Sequence, residues 1–154
     1  MRQDWIDYNG HMNVAYYVLV FDHATDALLA GVGLGPDYAA AGAASVFAVE
    51  AHVTYDREVG DGDPLDVSTQ VLGVDDKRVH LFHTMVHAEH GSPAATNEVL
   101  LLHVDLTTRR AAPFPETARR ALDRLAADHA RHPRPAKAGR SVALRPRRPA
   151  EGGA

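Results

Sequence analysis

The chain has 154 residues, 45% of them hydrophobic and 23% charged, which suits one domain with its own core and is too short for two ordinary ones. Cysteine is absent, which excludes disulfides, thiolate metal sites and a thiol nucleophile. No apolar run approaches about 18 residues and no basic-then-apolar leader opens the chain, so the expectation is a cytoplasmic enzyme or binding domain with no membrane span.

The net charge of −4 hides an asymmetry. Residues 1–130 carry 9 Lys/Arg against 19 Asp/Glu, a net −10, and residues 131–154 carry 7 against 1, a net +6. The acidic body argues against a nucleic-acid partner, because phosphate contacts need clustered basic groups.

In chain order, the first feature is "DWIDYNGHMN" at 4–13, a polar segment built around an Asp-Tyr-Asn-Gly turn. Apolar residues then recur at Val14, Tyr17, Val18, Phe21, Leu28 and Leu29, spacing that predicts an amphipathic helix. Asn13 is its expected N-cap, and Gly31 and Gly33 end it. "GPDYAAAGAAS" reads as a loop. "VFAVEAHVTY" alternates as a strand, with Phe47, Val49, Ala51, Val53 and Tyr55 on one face and Glu50, His52 and Thr54 on the other. "GDGDP" at 60–64 is a turn, and strands are expected at about 65–74, 77–88 and 95–107. "APFPETARRALDRLAADHA" predicts a second helix with Pro115 near its start and a stripe of Ala118, Leu122, Leu125 and His129. The basic tail, 131–154, is rich in Pro, Gly and Arg and reads as largely irregular, with "SVAL" at 141–144 able to add a strand.

One helix followed by consecutive strands joined by short turns gives an α+β domain over residues 1–130, with one antiparallel sheet that the helix covers. "DYNGHMNVAYY" resembles the Asp-x-x-Gly-His-x-Asn-Asn-x-x-Tyr signature of the 4-hydroxybenzoyl-CoA thioesterase-like acyl-CoA thioesterases. The match falls on Asp7, Gly10, His11, Asn13 and Tyr17; Val14 replaces the second Asn, and Trp5 stands where many members have another Asp. "EAHVTYDREV", "GDPL" and "KRVHLFH" extend the likeness over roughly residues 4 to 110 and make the chain most like the betainyl-CoA thioesterases of carnitine breakdown. The resemblance implies a hot-dog fold, a curved antiparallel sheet wrapped on one long helix. It implies hydrolysis of an acyl-CoA thioester without a separate cofactor, and pairing of sheets edge to edge into homodimers or homotetramers. It places a catalytic carboxylate at Asp7 and a backbone N–H donor to the thioester oxygen at Val14.

The residues supply their own reasons for this assignment. A helix N-terminus offers unpaired N–H groups and the positive end of a dipole, where negative charge on an oxygen would be held. Asp7 could instead only cap its own turn. His11 and Asn13 are the next candidates, for shaping the loop or touching the acyl group, and Glu50 is a candidate second carboxylate. Trp5 and Tyr8 flank Asp7 and could hold a quaternary ammonium between aromatic faces. Lys77, Arg78, Arg57, Arg109 and Arg110 are candidates for the phosphates of coenzyme A.

Competing chemistry finds less support. His83 and His87 would lie about 14 Å apart on a strand, too far for one ion with bonds of about 2 Å, so no metal site is expected. "GVGLG" follows a helix rather than a strand, and no Gly-x-Ser-x-Gly elbow exists. A hot-dog hydratase or dehydratase, or a non-catalytic acyl-CoA-binding domain, are the alternatives.

Overall fold

The computed structural model describes residues 1–144. After a 3-10 turn at Gln3–Trp5 come α1 (Val14–Gly31), α2 (Pro36–Ala40), β1 (Ala44–Tyr55), β2 (Leu65–Val74), β3 (Arg78–His87), β4 (Pro93–Asp105), β5 (Arg110–Ala111) and α3 (Glu116–His129). All strand pairings are antiparallel in the order β1-β4-β3-β2, with β5 added to β4. This is the α+β sheet-on-helix arrangement expected from the sequence.

α1 begins where the cap predicts: the Asn13 side chain accepts the Ala15 N–H at 3.0 Å. Its buried line is Tyr17, Phe21, Thr25 and Leu29, one residue per turn. Val14 and Val18, expected in the apolar stripe, instead stand exposed on its flank. The segment expected as a loop contains α2, opened by Pro36 at its first turn.

β1 departs from simple alternation. A bulge between Ala48 and Glu50 inserts Val49 and reverses the phase of the strand. Val46 and Val53 therefore both pack into the core, although seven positions apart, while Phe47 and Val49 are left exposed. Glu50, His52 and Thr54 keep the outer face.

The core has two parts. One joins Leu29, Val32 and Leu34 to Val71, Val79, Leu81, Val99 and Leu101, and α3 closes it with Ala118 and Leu122. The other joins Tyr17 and Phe21 to Met12, Val59, Met85, Ala94 and Ala95. At roughly 25 cal/mol per Å² of apolar surface, each large side chain buried here contributes on the order of 2 kcal/mol. The second part is the floor beneath the N-terminal turn.

Residues 131–140 are irregular but not detached: they cross the outer face of the sheet, where Gly139 N–H donates to Glu98 Oε2 at 2.7 Å. "SVAL" adds no strand; Val142 and Leu144 stand in solvent. The rest of the tail, 145–154, lies outside the described residues.

Candidate active site

The N-terminal polar segment folds into a tight hairpin. Ile6 and Met12 form an isolated antiparallel bridge, the Asp7 N–H donates to His11 O at 2.9 Å, and the Gly10 N–H donates to Asp7 O at 3.0 Å. Gly10 takes φ +82°, a conformation that side chains resist, which is why a glycine closes the turn. The Asp7 carboxylate accepts the Asn9 N–H at 2.7 Å, so its direction is fixed by its own turn. The capping role weighed from the sequence is thus real, and it leaves the second carboxylate oxygen for other partners.

Asn13 N–H donates to Trp5 O at 2.9 Å and closes the base of the hairpin, and Met12 N–H donates to Val59 O at 2.8 Å and attaches it to the body. The second bond brings the segment after β1 beside the start of α1. The result is an open groove of about 970 Å³ lined by Asp7, Asn9, His11, Met12, Val14 and Tyr17 on one side and Tyr55 to Glu58 on the other.

At the head of α1, Asn13 Oδ1 takes the Ala15 N–H and Asn13 O takes the Tyr16 N–H, while the Val14 N–H has no acceptor among the described residues. An unpaired N–H at the positive end of an 18-residue helix therefore borders the same groove as the Asp7 carboxylate.

The groove is acidic and aromatic. Its charged lining is Asp7, Asp56, Glu58 and Arg57, and His11 Nε2 lies 3.2 Å from Glu58 Oε2 across the groove. Tyr17 and Tyr55 meet edge to face with centroids 5.2 Å apart. Burial, with Glu58 and Tyr55 nearby, pushes the Tyr17 hydroxyl above its ordinary pKa. It stays a neutral donor, to Arg57 O at 3.3 Å. Tyr55 is half-exposed.

Of the residues singled out from the sequence, the structure brings Asp7, His11 and Val14 together in this groove. Asn13 acts one step back, as the cap. Trp5 does not line it: its ring stacks on Tyr16 at 5.1 Å with an 8° tilt and packs on the second core cluster. Tyr8, at 95% exposure, projects from the hairpin tip. Glu50 borders a separate cavity on the outer face with His52, His80 and Glu98. Alternation along β1 sends it to the sheet surface opposite α1. Of the five basic candidates, Arg57 alone lines the groove; Arg78 pairs with Asp75 at 2.6 Å, and Arg109 sits in a turn at φ 58°. His80 pairs with Glu98 on the outer face, whereas His83 is buried between Thr25 and Thr69 on the inner one.

Of the far wall, Tyr55-Asp56-Arg57-Glu58, only Arg57 was anticipated. Its signal was a run of charged residues placed directly after a strand, and what hid it was the long-range bond from Met12 that brings it across.

The match to a family model decides the lineage: residues 1–122 match the thioesterase-like superfamily. The chain belongs to this superfamily. It is 41% identical over 143 residues to a betainyl-CoA thioesterase of Pseudomonas aeruginosa, covering 93% of this chain and 90% of that one. It is 45% identical over 138 residues to an L-carnitine dehydrogenase/betainyl-CoA thioesterase of Agrobacterium fabrum, a longer protein of which it matches 28%. Among solved structures, a Staphylococcus aureus protein in complex with CoA superposes with a TM-score of 0.88 at 30% identity, covering 94% of this chain and 91% of that one. A candidate thioesterase of Pseudomonas putida KT2440 superposes at 0.81 with 38% identity, covering 95% and 93%. The hot-dog fold expected from the N-terminal motif is the fold this superfamily member has.

Proposed function

We propose that this acyl-CoA thioesterase releases glycine betaine from betainyl-CoA, with Asp7 as the catalytic carboxylate and the Val14 N–H as the oxyanion donor. The observation that carries the reading is their shared groove: a carboxylate with one oxygen fixed by Asn9 faces the same space as an unpaired helix-terminal N–H. A thioester carbonyl set between them meets attack on one side and charge stabilisation on the other. Asp7 either attacks the carbonyl carbon, giving an anhydride that water opens, or takes a proton from the attacking water. In both routes the C–S bond breaks, coenzyme A leaves as thiolate, and the proton from water ends on the thiol. A weak base suffices because the thiolate leaves readily. One backbone donor of this kind lowers a barrier by roughly 3–4 kcal/mol.

The groove's chemistry also supports a cationic acyl group. A trimethylammonium cannot donate an N–H bond, so proteins hold it with aromatic faces and nearby carboxylates, at about 0.5–2 kcal/mol per aromatic contact. Tyr55 with Tyr17 behind it, and Glu58, present such a surface. His11 steadies the two walls against each other through Glu58. The relatives named for betainyl-CoA point the same way. The reading places the enzyme in the cytoplasm, as a dimer or tetramer that pairs through its sheets.

Release of free thiol over a panel of acyl-CoAs tests it. Betainyl-CoA is expected to be cleaved faster than 3,3-dimethylbutanoyl-CoA, its carbon isostere. Equal rates would reject the betainyl assignment and leave the hydrolase; no thiol release from any member would reject the hydrolase as well.

A further inference from the structure

The tail returns to the active groove from behind. At the end of α3, His129 Nδ1 accepts the Val71 N–H at 2.9 Å and Gln70 Nε2 donates to His129 O at 3.2 Å, which ties the chain to the edge strand β2. It then runs across the outer face, with Pro135 over Phe82 and Thr84. Lys137 reaches β1, where Nζ donates to Thr54 Oγ1 at 3.3 Å and pairs with the Asp56 carboxylate. Lys137 and Asp56 are 81 positions apart in the chain.

Asp56 lines the groove on one side and the cavity under this strap on the other. Its backbone N–H and that of Arg57 both bond Ala94 O, at 2.8 and 3.1 Å, so the wall itself is anchored to β4 without the strap. What the strap adds is charge. Three carboxylates border the groove, and the substrate carries the phosphates of coenzyme A. The Lys137 and Asp56 side chains are 28% and 27% exposed, sheltered enough for their pairing to escape full screening by salt.

We propose that Lys137 is a positioning residue of the active groove, which holds and neutralises Asp56 so that a polyanionic thioester can approach. The inference rests on the groove being the acyl-CoA site and is independent of which acyl group is cleaved. The residue acts from a segment that the sequence presents as an appendage, and it acts through Asp56 rather than on the reacting atoms.

The test is a double-mutant cycle read as KM and kcat on one good acyl-CoA substrate. Lys137→Met is expected to raise KM about fivefold at low salt with kcat changed less than about twofold, because a partly sheltered pair acts on binding and not on the chemical step. Lys137→Arg should keep the wild-type KM. In an Asp56→Asn background, Lys137→Met should leave KM nearly unchanged, and added salt should shrink the defect of the single variant. KM does not depend on the fraction of enzyme that is folded, so a loss of stability does not obscure the result. An unchanged KM in Lys137→Met, the same rise in both backgrounds, or a defect confined to kcat overturns the proposal. A wild-type chain that hydrolyses no acyl-CoA overturns the thioesterase reading and this inference with it; an active wild type indifferent to Lys137 overturns this inference alone.

Discussion

His83 Nε2 lies 3.0 Å from Thr25 Oγ1 inside the core, joining β3 to the middle of α1. The other ring nitrogen lies 2.9 Å from Thr69 Oγ1, and the residue is fully buried. Burial lowers its pKa from 6.5 to about 4. The native state therefore keeps the ring neutral where the unfolded chain would bind a proton. Between those values the unfolded state holds more protons, so stability rises with pH. It should be complete above about pH 6.5 and fall on acidification, by roughly 3 kcal/mol in total once pH passes 4. Urea titrations at a series of pH values check this, and His83→Gln should flatten the dependence over that window. A stability that does not change between pH 7 and about 4.5 would show that the ring is not buried neutral.

Asp7→Asn keeps the bond to the Asn9 N–H and removes only the charge. Turnover should fall by at least ~10²-fold, within the range that positioned acid–base groups contribute. The melting temperature should stay close to wild type, because the turn is preserved. Turnover near wild type would reduce Asp7 to a turn residue.

Trp5 and Tyr55 should part company in mutants. Trp5→Leu removes a stacked partner of Tyr16 and should cost on the order of 1–3 kcal/mol of stability, with the ratio of betainyl to neutral rates retained. Tyr55→Leu should instead erode that ratio several-fold at little cost in stability, since its ring is half-exposed. Rates for charged and neutral acyl groups measured on both variants separate the two roles; loss of the ratio in Trp5→Leu alone would return cation recognition to the hairpin.

Among the described residues the sheet ends in β1 on one side and β2 on the other. β2 is flanked by α3, but β1 pairs only with β4 among the described residues and carries exposed Phe47, Val49 and Tyr55. An apolar strand edge of this kind invites a second copy. Light scattering at micromolar concentration should report a dimer or larger species. An active monomer of 16.6 kDa would oppose this.

Local chemistry made much of this readable in advance. Asn13 capped α1 because a short polar side chain before an apolar repeat has little else to do, and the strands after Gly62 follow from alternation bounded by turns. The hairpin with Asp7 was legible because Asp and Gly sit at the two positions a four-residue turn favours. What was hidden depended on distant partners. The Val49 bulge cannot be seen until β1 is laid against β4. Trp5, two positions before Asp7 and at the end of the 3-10 turn, proved to face Tyr16. Lys137 reads as a solvated cation until the chain crosses the sheet and meets Asp56.

The pairing of Ala44 with Asp105 and Tyr55 with Ala95 also orders events in time. α1 and β1 leave the ribosome first, yet the strand that completes β1 is made last of the four long ones. The β2-β3-β4 meander, with its short connections, can assemble by itself, and β1 must wait for it. During that interval "SVFAVEAHV" is an unpaired, strongly β-forming segment, open to association with other nascent copies. A charge within such a segment, as at Glu50, discourages stacking while the chain is incomplete.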